Sequence, residues 1–246
     1  MTEGSNDSAD DGGHGSDTAQ SQTPTPVETR TREVSTRDSY DAISQTYTDW
    51  IADELTAKPH DRAILGAFSE LVLGTGSAEV LDIGCGPGRI TAFLAALGLT
   101  PRGLDLSPAM IGLAQGLYPT LGFDIGSVTA LPYADESFAG LVAWYSTIHV
   151  PDDALALAFA EAARVLRPGG WFQLAFQLGD GVDHIADLAG FPVDLDFHRR
   201  SNDQVLAALE PHGFTPAVRL EREPDRVGRY PEASRQGYLL VRRAVR

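Results

Sequence analysis

The sequence is poor in groups that cross-link or anchor a protein. Cys85 is the only cysteine among 246 residues, so an internal disulfide is excluded. No apolar stretch approaches the roughly 20 residues that a membrane-spanning helix needs. Residues 1–20 also lack the basic start and apolar core of a secretory signal. These absences lead us to expect a soluble, cytoplasmic protein with no membrane partner.

Positive charge is scarce as well. Lysine and arginine number 19 against 34 aspartates and glutamates, which gives a formal net charge of −15. Because such an excess repels phosphate backbones, we expect no nucleic-acid partner. The histidines and the cysteine show no paired spacing typical of a metal site, and no serine lies in a nucleophile elbow. We therefore expect no metal.

Large apolar residues are also rare at the start of the chain. Ordering residues 1–36 would cost conformational entropy with little surface buried in return, which predicts a disordered acidic tail. From Tyr40 onward, apolar residues recur at three- and four-residue steps and predict a helix over residues 38–57. We assign residues 37–246 to a single folded domain.

The middle of the chain alternates short apolar runs with helix-length segments. The runs predict strands at 80–83, 102–105, 122–125, 141–145 and 171–177. This alternation is typical of a doubly wound, Rossmann-like α/β fold with a mostly parallel sheet. Two further apolar runs, at 217–220 and 238–241, have no periodic helix between them and predict a closing antiparallel pair.

A glycine-rich loop follows the first of these strands, in VLDIGCGPGRIT at residues 80–91. Gly84, Gly86 and Gly88 would let the main chain approach a ligand at a helix N-terminus, although such a turn can also serve packing alone. The dinucleotide fingerprint needs glycine at the position of Arg89, which disfavours a nicotinamide oxidoreductase.

Two acidic residues flank this loop. Asp82 would repel a pyrophosphate, but it suits the ammonium group of a ligand with an amino acid end. Asp105 lies at the tip of the next predicted strand, where it is placed to bind a ribose diol. The pair therefore favours a nucleoside ligand that carries an amino acid.

Four segments recur in a familiar order between residues 78 and 176. They are VLDIGCGPGRIT, GLDLSPAMI, GSVTALPYADESFAGLVAWYSTIHVPD and RVLRPGGWF. Together they resemble the successive motifs of class I S-adenosylmethionine-dependent methyltransferases. The resemblance implies a seven-stranded, mostly parallel sheet with a C-terminal antiparallel hairpin, and S-adenosylmethionine as the cofactor.

The same resemblance implies roles for individual residues. Gly84, Cys85 and Gly86 would lie against the methionine part, while Leu106 would pack on adenine. Ser127 stands where the family usually has an aspartate that accepts from the adenine amine, and a hydroxyl accepts more weakly.

Two neighbours of Ser127 bear on the same adenine contacts. Asp124 is a candidate to compensate for the missing carboxylate, and the backbone N–H of Val128 would bind a ring nitrogen.

Candidates for the methyl-transfer end follow the fourth strand. His149 is the histidine we expect to act as a base if the acceptor needs one, or it bonds the loop backbone instead. Trp144 and Tyr145 are predicted to face the cleft, with Trp144 on the cofactor and Tyr145 on the acceptor, although both are also compatible with plain core packing.

Two outlying segments complete the predicted site. Tyr40 and Tyr47 resemble the tyrosines of a lid helix that closes over the cofactor, or they belong to an amphipathic helix docking its apolar side. Residues 177–200 are interpreted as an acceptor-binding insertion in which His198 and Arg199 contact substrate, or as a solvated face.

The sequence thus predicts an enzyme that transfers a methyl group from S-adenosylmethionine to an oxygen, nitrogen or carbon atom of a small molecule. We expect it to act as a monomer or homodimer. The alternative is a catalytically weak S-adenosylmethionine-binding protein with a regulatory or scaffold role.

Overall fold

The computed structural model describes residues 26–188 and 190–245. The helices are α1 (Pro26–Ile51), α2 (Glu54–Ala57), α3 (Pro59–Leu73), α4 (Arg89–Ala96), α5 (Pro108–Leu117), α6 (Asp152–Val165) and α7 (Asn202–Leu209). The strands are β1 (Glu79–Ile83), β2 (Thr100–Asp105), β3 (Gly122–Ile125), β4 (Phe138–Trp144), β5 (Leu166–Gln177), β6 (Val182–Leu188), β7 (Phe191–His198), β8 (Phe214–Arg222) and β9 (Gln236–Arg243). Over the described residues, no helix has the length and apolarity to cross a membrane.

Seven of the strands form one sheet in the order β3-β2-β1-β4-β5-β9-β8. The first five pair in parallel, and β9 pairs antiparallel with both β5 and β8. The predicted fold class is therefore confirmed. Because the chain winds outward in opposite directions from β1 and from β4, a crevice is expected where their carboxyl ends diverge.

The central parallel strands β1 and β4 are buried on both faces, as is typical of a doubly wound sheet. Successive side chains of β1 alternate between two cores. Val80 packs on one side with Leu65 and Phe68 of α3, whereas Leu81 packs on the other with Phe159 of α6. This alternation fixes which side chains at the strand ends turn toward the crevice and which turn toward a helix.

The N-terminal helix differs from the prediction. Residues 1–25 of the predicted tail lie outside the described residues, whereas residues 26–36, predicted to be disordered with them, form the first turns of α1. The helix predicted at 38–57 is two helices, α1 and α2. The early turns carry few apolar groups, and polar contacts to the domain stabilise them instead, such as that from Ser35 Oγ to the Asp194 carbonyl at 3.1 Å.

A second, two-stranded sheet lies outside the predicted strands. β6 and β7 form an antiparallel hairpin within the predicted acceptor-binding insertion. Val193 and Leu195 of β7 pack against Ile43 of α1, so the hairpin and α1 stabilise each other over the carboxyl end of the main sheet.

Candidate functional site

A pocket opens at the carboxyl ends of β1, β2 and β4, beneath α1. The space between its walls, counted together with open solvent at its mouth, is about 990 Å³. Most of the residues predicted from the sequence line it: Tyr40, Tyr47, Gly84, Gly86, Asp105, Leu106, Ser127, Val128, Trp144, Tyr145 and His149.

The glycine loop forms one wall because its backbone needs glycine. Gly84 has a φ of +71°, and a Cβ there would lie 2.2 Å from the Cβ of Ser146. Gly88 also has a positive φ, but it lies outside the pocket lining. A Cβ on Gly88 would meet the ring of Phe123 at 2.8 Å. The structure therefore gives Gly88 a packing role against Phe123 of β3, and its predicted ligand role stays a prediction.

Asp105 is held rigidly at the pocket wall. Its Oδ2 accepts from the Gly86 N–H at 2.8 Å, and its Oδ1 accepts from the Ser107 N–H at 2.9 Å. Burial raises the pKa of this carboxyl group, and the backbone hydrogen bonds oppose that rise. A fixed acceptor of this kind suits a pair of ligand hydroxyls.

Asp82 and Cys85 are not brought to the pocket lining, contrary to the prediction. The pleat of β1 turns Asp82 toward α4, where its Oδ2 accepts from Thr91 Oγ1 at 2.6 Å. Burial raises the pKa of Asp82 to about 7. Cys85 packs against Ile111 and Phe123, and burial raises the pKa of its thiol well above the usual value.

Ser127 does line the pocket, but a carboxylate from α1 contacts it. Its Oγ donates to Glu33 of α1, and Thr129 Oγ1 donates to the same Glu33 oxygen at 2.7 Å. Asp124 does not compensate at this point. It accepts from Arg102 at 2.6 Å and from Tyr133 at 2.9 Å, outside the lining.

His149 is neutral, and both of its ring nitrogens are hydrogen-bonded. Its Nδ1 lies 2.9 Å from the carbonyl oxygen of Asp196, which can only accept, so this nitrogen carries the proton. Nε2 therefore accepts from the Tyr40 hydroxyl at 2.8 Å. Desolvation lowers the pKa of His149 to about 4. The histidine bonds the main chain of β7 and not that of its own loop, and its remaining lone pair already has a partner.

Tyr145 lies beside His149 in a left-handed backbone conformation, with φ at +57°. Such a conformation is uncommon for an aromatic residue and collects at functional sites. Its hydroxyl is 3.3 Å from that of Tyr238, which donates to Asp61 at 2.8 Å. A polar chain therefore leads from the pocket to a buried carboxyl group, whose pKa is raised by burial.

His198 and Arg199 lie outside the pocket lining, and their predicted substrate role stays a prediction. His198 is buried at the end of β7, and Arg199 pairs with Asp183 across the hairpin. The hairpin directs both residues away from the cleft. The next residue, Arg200, is buried and donates to the carbonyls of Thr147 at 3.0 Å and Val150 at 2.5 Å. Arg200 thereby fixes the loop that carries His149.

Sequence reasoning missed the contribution of α1 before Tyr40. Arg32, Glu33, Thr36 and Arg37 all line the pocket. The predicted disordered tail covered three of these residues, and α1 carries no strong apolar stripe there that could have signalled a docked helix. Polar residues follow one another closely in these turns, so the sequence does not indicate which side of α1 faces a ligand.

The residues present fit S-adenosylmethionine. Within the described residues, the buried Trp144 Nε1 and Ser146 Oγ lack hydrogen-bond partners, and such donors suit a carboxylate at an amino acid end. Asp105 suits the ribose hydroxyls, and Leu106 offers an apolar surface to a base. In the same part of the chain, no group of three or more histidine, cysteine, aspartate or glutamate residues could hold a metal ion.

The fold and the pocket define a class, and the comparisons agree with it. Residues 80–170 match the family model described as a methyltransferase domain. The chain carries a class I S-adenosylmethionine-dependent methyltransferase domain, and S-adenosylmethionine is the cofactor of that class.

The relatives place the similarity in this domain. Methyltransferase GfsG of Streptomyces halstedii is 40% identical over 104 residues, covering 39% of this chain and 37% of that protein. A phthiotriol/phenolphthiotriol dimycocerosates methyltransferase of Mycobacterium ulcerans is 34% identical and covers 58% of this chain and 55% of its own length. The chain thus spans about two fifths to just over half of these relatives.

Solved structures show the same fold at low identity. Magnesium protoporphyrin IX methyltransferase of Synechocystis, with bound S-adenosylmethionine, superposes with a TM-score of 0.62 at 15% identity, covering 87% of this chain and 97% of that one. A structure titled as the [4+2]-cyclase SpnF reaches the same TM-score at 17% identity, with the same coverage of both chains.

Proposed function

We propose that this chain transfers a methyl group from S-adenosylmethionine to a small-molecule acceptor. One observation carries the proposal: the Asp105 carboxylate and the glycine loop share a single pocket with Tyr40, Tyr145 and His149. A ligand held by the first group would extend toward the second. When bound, the cofactor supplies an activated methyl group, so the protein mainly has to align an acceptor and exclude water.

On the cofactor side, each role follows from hydrogen-bonding capacity. We assign Asp105 to the ribose hydroxyls, the main chain of Gly84 and Gly86 to the methionine part, and the Val128 N–H to a ring nitrogen. Leu106 packs on the base. α1 covers this arrangement, since Tyr40 and Tyr47 line the pocket from above.

On the acceptor side, the site offers little basicity at neutral pH. His149 has a pKa lowered to about 4 and already accepts from Tyr40. The Tyr40 oxygen keeps lone pairs that can accept a proton-bearing group of the acceptor. We therefore favour an acceptor that ionises without a strong base, such as a carboxylic acid, an enol or an acidic phenol, over an aliphatic alcohol.

The relatives leave the methylated atom open. One is named an O-methyltransferase, from Aspergillus sclerotiorum, and one structural neighbour is titled an N1-methyltransferase, from Burkholderia thailandensis. Because one neighbour of the same fold is titled a cyclase, the fold alone does not imply methyl transfer, and we keep a second candidate in which the chain binds the cofactor without transferring the methyl group.

Calorimetry and turnover separate these candidates. We expect S-adenosylmethionine and S-adenosylhomocysteine both to bind. We then expect methyl-labelled cofactor to transfer its label to members of a panel containing carboxylic acids, enols, phenols and heteroaromatic amines, detected by mass spectrometry. Binding without labelling in any class favours the second candidate, and absence of binding contradicts both.

A further inference from the structure

Glu33 reaches from α1 to the loop that follows β3. Its Oε1 accepts from Ser127 Oγ and from Thr129 Oγ1, the latter at 2.7 Å. Both hydroxyls belong to the domain, whereas the carboxylate belongs to the helix that covers the pocket. A carboxylate accepts at about four positions, and these two hydrogen bonds use only one of its oxygens.

The surroundings of Glu33 indicate which part of a ligand it meets. Leu106, Gly126 and Val128 line the same pocket, and Glu33 contacts the loop of Gly126 and Val128 through Ser127 and Thr129. Tyr40, which contacts His149, lies about two helical turns further along α1. With the ribose on Asp105, the base would occupy this end. Ser127 and Thr129 offer only neutral hydroxyls there, so Glu33 is the group in this corner best able to accept strongly from an amine.

We propose that Glu33, carried by the lid helix, accepts the exocyclic amine of adenine and makes cofactor recognition depend on the docked position of α1. This inference rests on the proposed function. It adds a specificity-determining residue that belongs to α1 and to none of the loops at the sheet.

Other contacts dock α1 without help from Glu33. Asp41 accepts from Ser107 Oγ and from the Ala109 N–H, the latter at 3.0 Å, and so binds the start of α5. Ile43 packs against Leu195 of the hairpin. Because α1 has these separate anchors, removing the Glu33 carboxylate should change recognition of the base more than the position of the helix.

The test compares two ligands that differ only at the base. S-adenosylhomocysteine carries the amine, and its 6-deamino purine analogue carries hydrogen in its place, so the donor is lost while the ring nitrogens remain acceptors. By calorimetry, we expect the wild-type chain to prefer the adenosyl ligand by about tenfold or more, the scale of one charge-assisted hydrogen bond. In Glu33→Ala the preference should fall to about twofold or less.

A rescue and a control sharpen the comparison. Adding Ser127→Asp to Glu33→Ala returns a carboxylate from the loop side and should restore the preference. Asp49→Ala removes an exposed acid of the same helix, which accepts from Gln45 at 2.9 Å, and should leave the preference unchanged. If Glu33→Ala does not fold, Glu33→Gln carries the same comparison, with a reduced preference because the amide oxygen is uncharged.

The outcomes that overturn the inference are distinct. If Glu33→Ala keeps the wild-type preference, or loses affinity for both ligands equally, Glu33 only helps to dock α1 and the inference is wrong. If the wild-type chain binds neither ligand, the proposed function fails together with the inference.

Discussion

At the scale of single residues, Asp105 carries the largest share of the proposed cofactor recognition. Two main-chain amides hold its carboxylate, so it needs little reorganisation to accept from two hydroxyls. Replacing it by Asn removes the charge and one acceptor. We expect Asp105→Asn to weaken S-adenosylhomocysteine binding by about 1.5 to 3 kcal/mol in calorimetry.

Asp124→Asn is the matched control, because Asp124 lies on the neighbouring strand and pairs with Arg102 outside the pocket. Its affinity should equal that of the wild type. Unchanged affinity in Asp105→Asn would remove Asp105 from the site.

His149 gives the protein a specific response to pH. Its pKa is about 4 in the folded chain and about 6.5 in an unfolded one. Between these values the unfolded state binds the extra proton, so the free energy of unfolding falls as the pH falls through this window. In urea titrations, we expect the free energy of unfolding of His149→Gln to fall less than that of the wild type between about pH 7 and about pH 5.

His60→Gln, at an exposed histidine of α3, serves as the control and should keep the wild-type dependence. An identical pH dependence in His149→Gln and the wild type would show that His149 is not buried in its neutral form.

At the scale of elements, Arg200 joins the end of the hairpin to the loop after β4. It donates to the Thr147 and Val150 carbonyls and pairs with Asp152. Removing it leaves buried carbonyls without donors. We expect Arg200→Leu to destabilise the chain by about 2 to 4 kcal/mol in denaturant unfolding and to speed amide exchange at residues 147–150.

The adjacent Arg199→Leu provides a close control, since Arg199 pairs with the half-exposed Asp183. It should change the free energy of unfolding by less than about 1 kcal/mol. Equal effects from the two arginines would contradict the anchoring role of Arg200.

The β6–β7 hairpin stabilises α1 through a small apolar cluster. Leu195 is fully buried in it, against Ile43. Truncation leaves a cavity that costs about 2 to 4 kcal/mol, and the loss falls mainly on the contact between hairpin and helix. We expect Leu195→Ala to accelerate proteolytic cleavage within residues 26–51 while the main sheet stays intact.

Val182→Ala changes the same hairpin at a residue that is half exposed, and its cleavage rate should match the wild type. If Leu195→Ala is cleaved no faster than Val182→Ala, the hairpin does not hold α1 in place.

At the scale of the whole molecule, the main sheet follows from the sequence because its strands are short apolar runs. β1 and β4 are buried on both faces and read as continuous hydrophobic segments. The glycine loop follows for a similar reason, since positive φ at Gly84 restricts the residue type. Local chemistry alone determines these features.

The cover over the pocket depends on tertiary contacts and was harder to predict. The first turns of α1 are polar, and the structure shows hydrogen bonds to the hairpin and the β3 loop where the sequence shows only charge. The alternation of Val193, Leu195 and Phe197 with two aspartates is typical of a strand, but no strand was predicted there. Side-chain direction at Asp82 and His198 required the pleat and the hairpin geometry.

The most direct test of the account is equilibrium binding of S-adenosylmethionine and S-adenosylhomocysteine to the purified chain. The account predicts one site per chain, saturable with micromolar affinity, and no competition by a nicotinamide dinucleotide. No detectable binding of either ligand at roughly millimolar concentration would contradict it.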